Sequence, residues 1–188
     1  MRGTGLRLLI ILFILGYISF MLCSCSSYSD SDSYSSQRMA RNEEPVDFSS
    51  RIPQHISTAE NTVVVDPRVH VWGAYGPDGT LIKAGQASAG SDWCNDLGHP
   101  CHTGVGTFRV YSLGSPDCKS HIFPLHKGGA PMPYCMYFNS GQALHGVPDS
   151  EVGDGNFSHG CVRMHVSDAE WLRYNFVNVG TKVIIRPY

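Results

Sequence analysis

Short apolar segments that alternate with polar positions run through the chain from about residue 60 to its end, with Gly and Pro between them. A period of two and an enrichment in β-branched residues are typical of strands with one buried face. The segments predicted as strands are residues 62–65, 69–72, 80–83, 107–113, 121–125, 133–138 and 182–186. Gly76-Pro77-Asp78-Gly79 has turn chemistry, so the second and third segments form a hairpin. This spacing predicts a single all-β domain, a sandwich or a barrel.

One helix is predicted near the carboxyl end of the chain. Ser167 and Glu170 have the spacing of a capping box, and Leu172 and Phe176 follow one helical turn apart. The helix is expected to end near Gly180. We expect its two apolar residues to pack on the sheet directly after the strand that contains Cys161.

The first 24 residues have the pattern of an export signal. Arg2 and Arg7 precede a fifteen-residue apolar run at 8–22, which is short for a spanning helix and suits the core of a signal peptide. Leu22-Cys23-Ser24-Cys25 then resembles a bacterial lipobox, so Cys25 is the predicted lipidated amino terminus. An ordinary signal peptide or an uncleaved membrane anchor is the alternative. With Ser26 after the cysteine, the pattern favours a periplasmic lipoprotein in the outer membrane.

The chain after the signal divides by composition into a tether and a domain. Residues 25–56 are rich in serine and poor in apolar residues, which is typical of a flexible segment, and residues 57–188 have the length of one domain. The signal contains two of the 14 basic residues and none of the 16 acidic ones, so the rest has a net charge of about −4. This balance argues against nucleic acid and against a polybasic membrane surface. We expect a monomer.

The stretch from Ser158 to Met164 combines three reactive side chains at alternate positions. If it is extended, His159, Cys161 and Arg163 share one face, and a histidine and a cation both favour a nucleophilic thiolate. Gly160 allows close approach of a substrate, and the backbone N–H groups of Gly160 and Cys161 are candidate oxyanion donors. The alternative is an inert cysteine, buried or disulfide-bonded, in a strand.

The remaining cysteines are informative for an exported domain. Apart from Cys23 and Cys25, the chain has five: Cys94, Cys101, Cys118, Cys135 and Cys161. Four can pair in three ways. Sequence proximity favours Cys94 with Cys101 and Cys118 with Cys135, which leaves Cys161 free. A zinc site of Cys94, His99, Cys101 and His102 is the competing reading, but the spacing matches no CxxC knuckle, so no metal is predicted.

The sequence from His145 to Met164 resembles the signature of the L,D-transpeptidase catalytic domain, a histidine followed after a spacer by Ser-His-Gly-Cys. The resemblance extends over residues 61–188, including the segments at 103–108 and 180–185. Gly104 stands where the family usually has proline. The spacer between His145 and Ser158 has twelve residues, at or below the short end of the family range.

The resemblance implies roles for the residues of the motif. Cys161 is the nucleophile, His145 is its base, and the carbonyl of Gly146 orients the imidazole. His159 lies by the oxyanion or the substrate, and Arg163 and Ser158 are candidates for binding the substrate. On the residues alone, His159 remains a rival for the role of base, because it shares the predicted face of Cys161.

The implied substrate is the peptidoglycan stem peptide, cut before the terminal D-alanine of a tetrapeptide and passed through a thioester to an amine. The acceptor is another stem, which gives a 3–3 cross-link, or the lysine of a lipoprotein. The family needs no cofactor. Two alternatives remain open: an L,D-carboxypeptidase that uses water as acceptor, and a non-catalytic module for wall binding or adhesion.

Overall fold

The computed structural model describes residues 46–188, which form two β-sheets. The first sheet has five strands in the order β3-β2-β1-β9-β4, with β1 parallel to β9 and the other neighbours antiparallel. Its strands are β1 (Thr62–Asp66), β2 (Val71–Tyr75), β3 (Leu81–Gln86), β4 (Gly106–Arg109) and β9 (Lys182–Ile185). The parallel pair joins the first and last strands of the domain, so its two ends, which are distant in sequence, lie side by side in this sheet.

The second sheet has four strands in the order β5-β6-β7-β8, and only its β7–β8 pair is parallel. Its strands are β5 (Ser112–Leu113), β6 (Met136–Asn139), β7 (Gln142–Val147) and β8 (Val162–His165). Helix α1 (Val166–Trp171) follows β8 directly and continues as a π-helical turn, Leu172–Phe176. Short 3-10 helices lie at Phe48–Arg51 and Asp149–Glu151.

The main core lies between the two sheets and the helix. Alternate residues of both sheets enter it, as the period of two predicts. Its members include Val63, Val65, Trp72, Met136, Phe138, Leu144, Val162, Met164, Leu172, Phe176, Val183 and Ile185. The predicted class, an all-β sandwich with one short helix after the active-site strand, is confirmed.

Residues 48–56 pack on the outer face of the first sheet, although composition places them in the tether. Ile52 is buried against Val64 and Tyr75, with Phe48 and Ile56 at its sides. The Tyr75 hydroxyl donates to the Pro53 carbonyl at 2.7 Å. Apolar residues spaced four apart thus cover a sheet face that would otherwise be exposed. The signal, the lipobox and Cys25 lie outside the described residues.

Three predicted elements differ from the structure. Residues 121–125 form turns, because Ser120 Oγ accepts from the N–H groups of Ile122 and Phe123. The predicted strand at 107–113 is divided into β4 and β5, and the one at 133–138 starts only at Met136, after Tyr134 takes a φ of 60°. Such a φ is incompatible with a strand.

The predicted capping box is wrong. Helix α1 begins at Val166, with His165 at its N-cap and no side-chain cap. Glu170, the expected capping partner, instead accepts from the Tyr134 hydroxyl at 2.9 Å. Within residues 46–188 no helix has the length and apolar character needed to cross a membrane.

Candidate active site

Strands β7 and β8 bring His145 and Cys161 to one face of the second sheet. His145 lies opposite Arg163 in the parallel ladder, and paired residues of neighbouring strands project on the same side. Leu144 and Val162, the preceding pair, face the core. Cys161 immediately precedes β8 and packs against a second cluster, which contains Ala143. The imidazole and the thiol therefore lie on the same face of the sheet, which points away from the main core.

His145 is held in one tautomer by its own strand. Its ring is almost fully buried, with 5% of the residue exposed, and Nδ1 lies 2.9 Å from the carbonyl oxygen of Gly146. A carbonyl only accepts, so Nδ1 carries the proton and Nε2 is the basic nitrogen. Burial lowers the pKa of His145 from 6.5 to about 4, and the Arg163 charge acts in the same direction. The imidazole is therefore neutral at physiological pH.

Cys161 is the free cysteine among the described residues and is partly exposed. Burial of its sulfur raises the pKa of the thiol, while the backbone amide of Ala143 and the charge of Arg163 oppose that rise. The Arg163 charge therefore does not produce the resting thiolate that the sequence pattern favours, because burial outweighs it. The thiol and the imidazole are thus both neutral at physiological pH, and a thiolate at Cys161 requires that its proton be transferred to a base.

The predicted extended run from Ser158 to Met164 is a strand only from Val162 onward. Gly160 has a φ of +120°, a value that glycine adopts without strain. Ser158 is buried; its hydroxyl donates to the Cys161 carbonyl and accepts from the Gly160 N–H at 3.0 Å. Ser158 thus forms the turn that presents Cys161, which argues against direct substrate binding. Since the Gly160 N–H is used in this turn, the Cys161 N–H is the stronger oxyanion donor of the predicted pair.

His159 lies in a different environment from His145. Its Nε2 is 2.9 Å from both carboxylate oxygens of Asp96, and its ring packs 4.4 Å from that of Phe123. The hydrogen bond from His159 lowers the pKa of Asp96. The nitrogen that a base would use is therefore occupied, which argues against His159 as the base. Asp96 and Phe123 were not predicted, and their only sequence signal is a position between paired cysteines.

The structure pairs Cys94 with Cys101 and Cys118 with Cys135, the pairing that sequence proximity favours. Disulfide sulfurs are not thiolate ligands, so these bonds remove the cysteines of the alternative zinc site. His102 of that set binds Asp92 at 2.7 Å. Each disulfide closes a loop that reaches His159, the first through Asp96 and the second through Phe123.

Arg163 completes the polar face. Its backbone pairs with Ser88 through two hydrogen bonds of 2.8 and 2.9 Å, which fixes β8 on the side away from β7. Its guanidinium is partly exposed and lies 3.9 Å from the carboxylate of Glu151. A guanidinium beside the base can bind a substrate carboxylate with two hydrogen bonds.

The two departures from the family pattern have structural explanations. The Gly104 N–H donates to Gln142 Oε1 at 3.0 Å, a bond that proline cannot make. A Cβ at this position would lie 2.5 Å from Asn139 Nδ2. The twelve-residue spacer is long enough for β7 and β8 to pair in parallel, with His145 opposite Arg163.

Replacing Gly104 by proline is expected to lower the free energy of unfolding by roughly 1–3 kcal/mol, because Gln142 loses a donor and the ring collides with Asn139. Urea denaturation measures this change. Gly104→Ala keeps the N–H and separates the collision from the lost hydrogen bond. Equal stability of Gly104→Pro and the wild type would contradict the proposed role of this bond.

Stability should depend on pH through His145. The folded pKa of about 4 is lower than the ordinary 6.5, so the unfolded chain binds the proton more tightly between these values. The free energy of unfolding therefore falls as the pH decreases from about 6.5 to 4, by roughly 3 kcal/mol for this group. Denaturation at a series of pH values checks this, with His145→Gln as the control that lacks this part of the slope. Parallel curves for both proteins would contradict the burial of a neutral imidazole.

Comparison with known proteins identifies the family. A family model described as the L,D-transpeptidase catalytic domain, YkuD, matches residues 60–185. Among solved structures, the chain is similar to an L,D-transpeptidase (residues 123–326) from Xylanimonas cellulosilytica, with a TM-score of 0.59 and 24% identity over 71% of this chain and 64% of that one. It is also similar to an L,D-transpeptidase from Mycobacterium smegmatis, with a TM-score of 0.55 and 24% identity over 69% and 59%.

L,D-transpeptidase 3 from Mycobacterium tuberculosis, solved with a faropenem-derived adduct, gives a TM-score of 0.54 and 24% identity over 68% of this chain and 60% of that one. The chain thus spans less than two thirds of the length of these structures, and at these identities they show the shared fold. No curated protein matches the chain. Because the family model covers about two thirds of the sequence and the fold agrees with it, the chain belongs to the family of L,D-transpeptidase catalytic domains.

Proposed function

We propose that this protein is a cysteine-dependent L,D-transpeptidase that acts on peptidoglycan stem peptides. The observation that carries the proposal is the position of the His145 imidazole on the same sheet face as the free Cys161 thiol. The hydrogen bond from Nδ1 to the Gly146 carbonyl keeps the proton on Nδ1 and leaves Nε2 as the base. A nucleophile with a base in a fixed tautomer is the arrangement that acyl transfer through a thioester requires.

The acylation step begins with the neutral pair. The sulfur of Cys161 attacks the carbonyl carbon that precedes the terminal D-alanine, while His145 Nε2 takes the thiol proton. The Cys161 N–H donates to the oxyanion of the tetrahedral intermediate. When the intermediate collapses, the C–N bond breaks, the D-alanine amine takes the proton from His145, and a thioester on Cys161 remains.

The second half-reaction regenerates the enzyme. An acceptor amine attacks the thioester carbonyl, and His145 Nε2 takes a proton from that amine. The C–S bond breaks, the sulfur of Cys161 takes the proton back, and a new amide is released. Arg163, next to His145 in the ladder, would bind a carboxylate of the donor and hold the scissile bond in line with the sulfur.

The acceptor and the cellular location extend this proposal. An amine of a second stem would give a 3–3 cross-link, and a lysine of a lipoprotein would give protein attachment. With water as acceptor the same residues would trim the stem, which is the second candidate. The amino-terminal pattern supports an exported periplasmic lipoprotein, anchored in the outer membrane through Cys25.

The products of a reaction with disaccharide-tetrapeptide distinguish these functions. The full chain is incubated in detergent with this substrate, and the products are analysed by mass spectrometry. We expect released D-alanine and dimers linked 3–3. Tripeptide monomers without dimers would indicate that the protein trims the stem with water as acceptor and does not transfer it to an amine. Absence of any product, with the protein folded, would favour a non-catalytic wall-binding module.

A further inference from the structure

The Cys118–Cys135 disulfide lies on the same sheet face as the candidate catalytic pair. Met136 lies opposite Leu144 in the antiparallel β6–β7 ladder, so Cys135, one residue earlier, comes next to His145. Cys135 is fully buried in the cluster that also contains Ala143 and contacts Cys161. His145 is therefore flanked by Cys135 on one side and by Arg163 on the other.

Hydrogen bonds connect the Cys118–Cys135 disulfide to Gly146, whose carbonyl orients His145. The Met132 N–H donates to the Cys118 carbonyl at 2.8 Å, so both ends of segment 132–135 are tied to Cys118. The Gly146 N–H donates to the Pro133 carbonyl within this segment at 2.9 Å. The carbonyl of Gly146 in turn accepts from His145 Nδ1.

Gly146 is closely packed on the side where a side chain would project. A Cβ on Gly146 would lie 2.9 Å from Val166 Cα and 3.3 Å from Pro133 Cγ. The backbone at Gly146 is thus enclosed between the start of helix α1 and segment 132–135. A displacement of that segment would move Gly146, and with it the acceptor for the imidazole.

Building on the function proposed above, we propose that the Cys118–Cys135 disulfide is a positioning element of the active site. It holds segment 132–135 against Gly146, and thereby fixes the orientation of the His145 imidazole and keeps water from its ring. The disulfide packs in the cluster that Cys161 also contacts, but it takes no part in the bonds that form and break. One consequence is that the base is fully positioned only in a compartment where this disulfide forms.

The second disulfide provides a matched control. Cys94–Cys101 closes a shorter loop, with a sequence separation of 7 in place of 17, and that loop reaches His159 through Asp96. Within residues 46–188 it makes no hydrogen bond to Gly146. Its removal should therefore affect the His159 side of the site and leave the environment of His145 unchanged.

The test uses Cys118→Ala/Cys135→Ala in the full chain, compared with wild type and with Cys94→Ala/Cys101→Ala. We expect a decrease in kcat of roughly 10- to 100-fold with a smaller change in KM. In a plot of kcat/KM against pH, the decrease at low pH (the acid limb) should move from about pH 4 toward 6.5, because water that enters beside His145 raises the pKa of this residue. The control variant should keep the acid limb of the wild type.

An NMR titration of the His145 imidazole makes the test independent of turnover. A raised pKa in Cys118→Ala/Cys135→Ala, and not in the control, supports the inference even if the wild type shows no transpeptidation, an outcome that overturns only the proposed function. An unchanged acid limb and an unchanged His145 titration, with loss of thermal stability alone, overturn the inference.

If Cys118→Ala/Cys135→Ala does not fold, the same titration is made on Cys94→Ala/Cys101→Ala before and after reduction with dithiothreitol. Among residues 46–188, Cys118–Cys135 is then the one disulfide left to be reduced. A reversible rise in the pKa of His145 supports the inference. An unchanged value in a protein whose near-ultraviolet circular dichroism is retained overturns it.

Discussion

Replacement of Cys161 by alanine is expected to reduce the release of D-alanine from a tetrapeptide stem by roughly a thousandfold or more. Without the sulfur no thioester can form, and the remaining groups can only bind and polarise the substrate. His145 would still be oriented by Gly146, but it would have no nucleophile to deprotonate. The rate is measured by mass spectrometry of the stem peptides over time.

Cys161→Ser is the matched variant for this experiment. It retains the shape of the side chain, so the cluster around Ala143 and Cys135 stays filled, while the hydroxyl is a far weaker nucleophile than a thiol. Both variants should unfold at temperatures close to that of the wild type. Retained turnover in Cys161→Ala would exclude the thioester, and loss of folding in both variants would make the decrease uninformative about chemistry.

Replacement of His145 by glutamine is expected to lower kcat by roughly 100- to 1,000-fold with little change in KM. Glutamine can occupy the site and keep a hydrogen bond to Gly146, but it cannot take a proton from Cys161. Because the resting thiol is neutral, this proton must be removed during attack. Steady-state kinetics with a tetrapeptide donor measure the loss.

The variant His159→Gln tests which of the two histidines, His145 or His159, is the base. His159 is bonded to Asp96, so its loss should change kcat/KM by roughly tenfold or less, through the loops around the site. In the wild type kcat/KM should fall as the pH decreases through about 4, where His145 becomes protonated. A larger loss in His159→Gln than in His145→Gln would contradict the assignment of the base.

The fold was largely predictable because its signal is local. The β-branched run at 62–65 and the alternation at 182–186 encode the strands whose parallel pairing joins the two ends of the domain. Segment 121–125 has the same apolar character, yet Ser120 captures its first N–H groups and turns the chain. Side-chain hydrogen bonds to the backbone compete with strand pairing, and the hydrophobic pattern of a segment contains no information about them.

The motif predicts which residues form the candidate site, and only part of their geometry follows from the sequence. The motif identifies His145, Gly146 and Cys161, and the structure gives the Nδ1 to Gly146 bond that the resemblance implies. The alternation predicted from Ser158 to Cys161 fails, because the Ser158 hydroxyl closes a turn that requires Gly160 at positive φ. Without that turn, His159 would share the face of Cys161.

Contacts between segments distant in sequence could not be predicted from local pattern. Asp96 meets His159 across 63 positions, and Ile52 covers a sheet whose strands begin ten residues later. The neutral resting state of Cys161 is a similar case, since burial depends on the packing around Ala143 and Cys135. The sequence contains the charged neighbours of the thiol but no measure of its desolvation.

The most direct test of the proposed thioester mechanism is the mass of the protein itself during turnover. The full chain is mixed with excess disaccharide-tetrapeptide, quenched in acid after short times, and digested for peptide mapping by mass spectrometry. We predict an adduct with the mass of the donor lacking D-alanine, located on the peptide that contains Cys161 and absent from Cys161→Ala. Release of D-alanine with no such adduct at any time, or with an adduct on another residue, would contradict the role of Cys161.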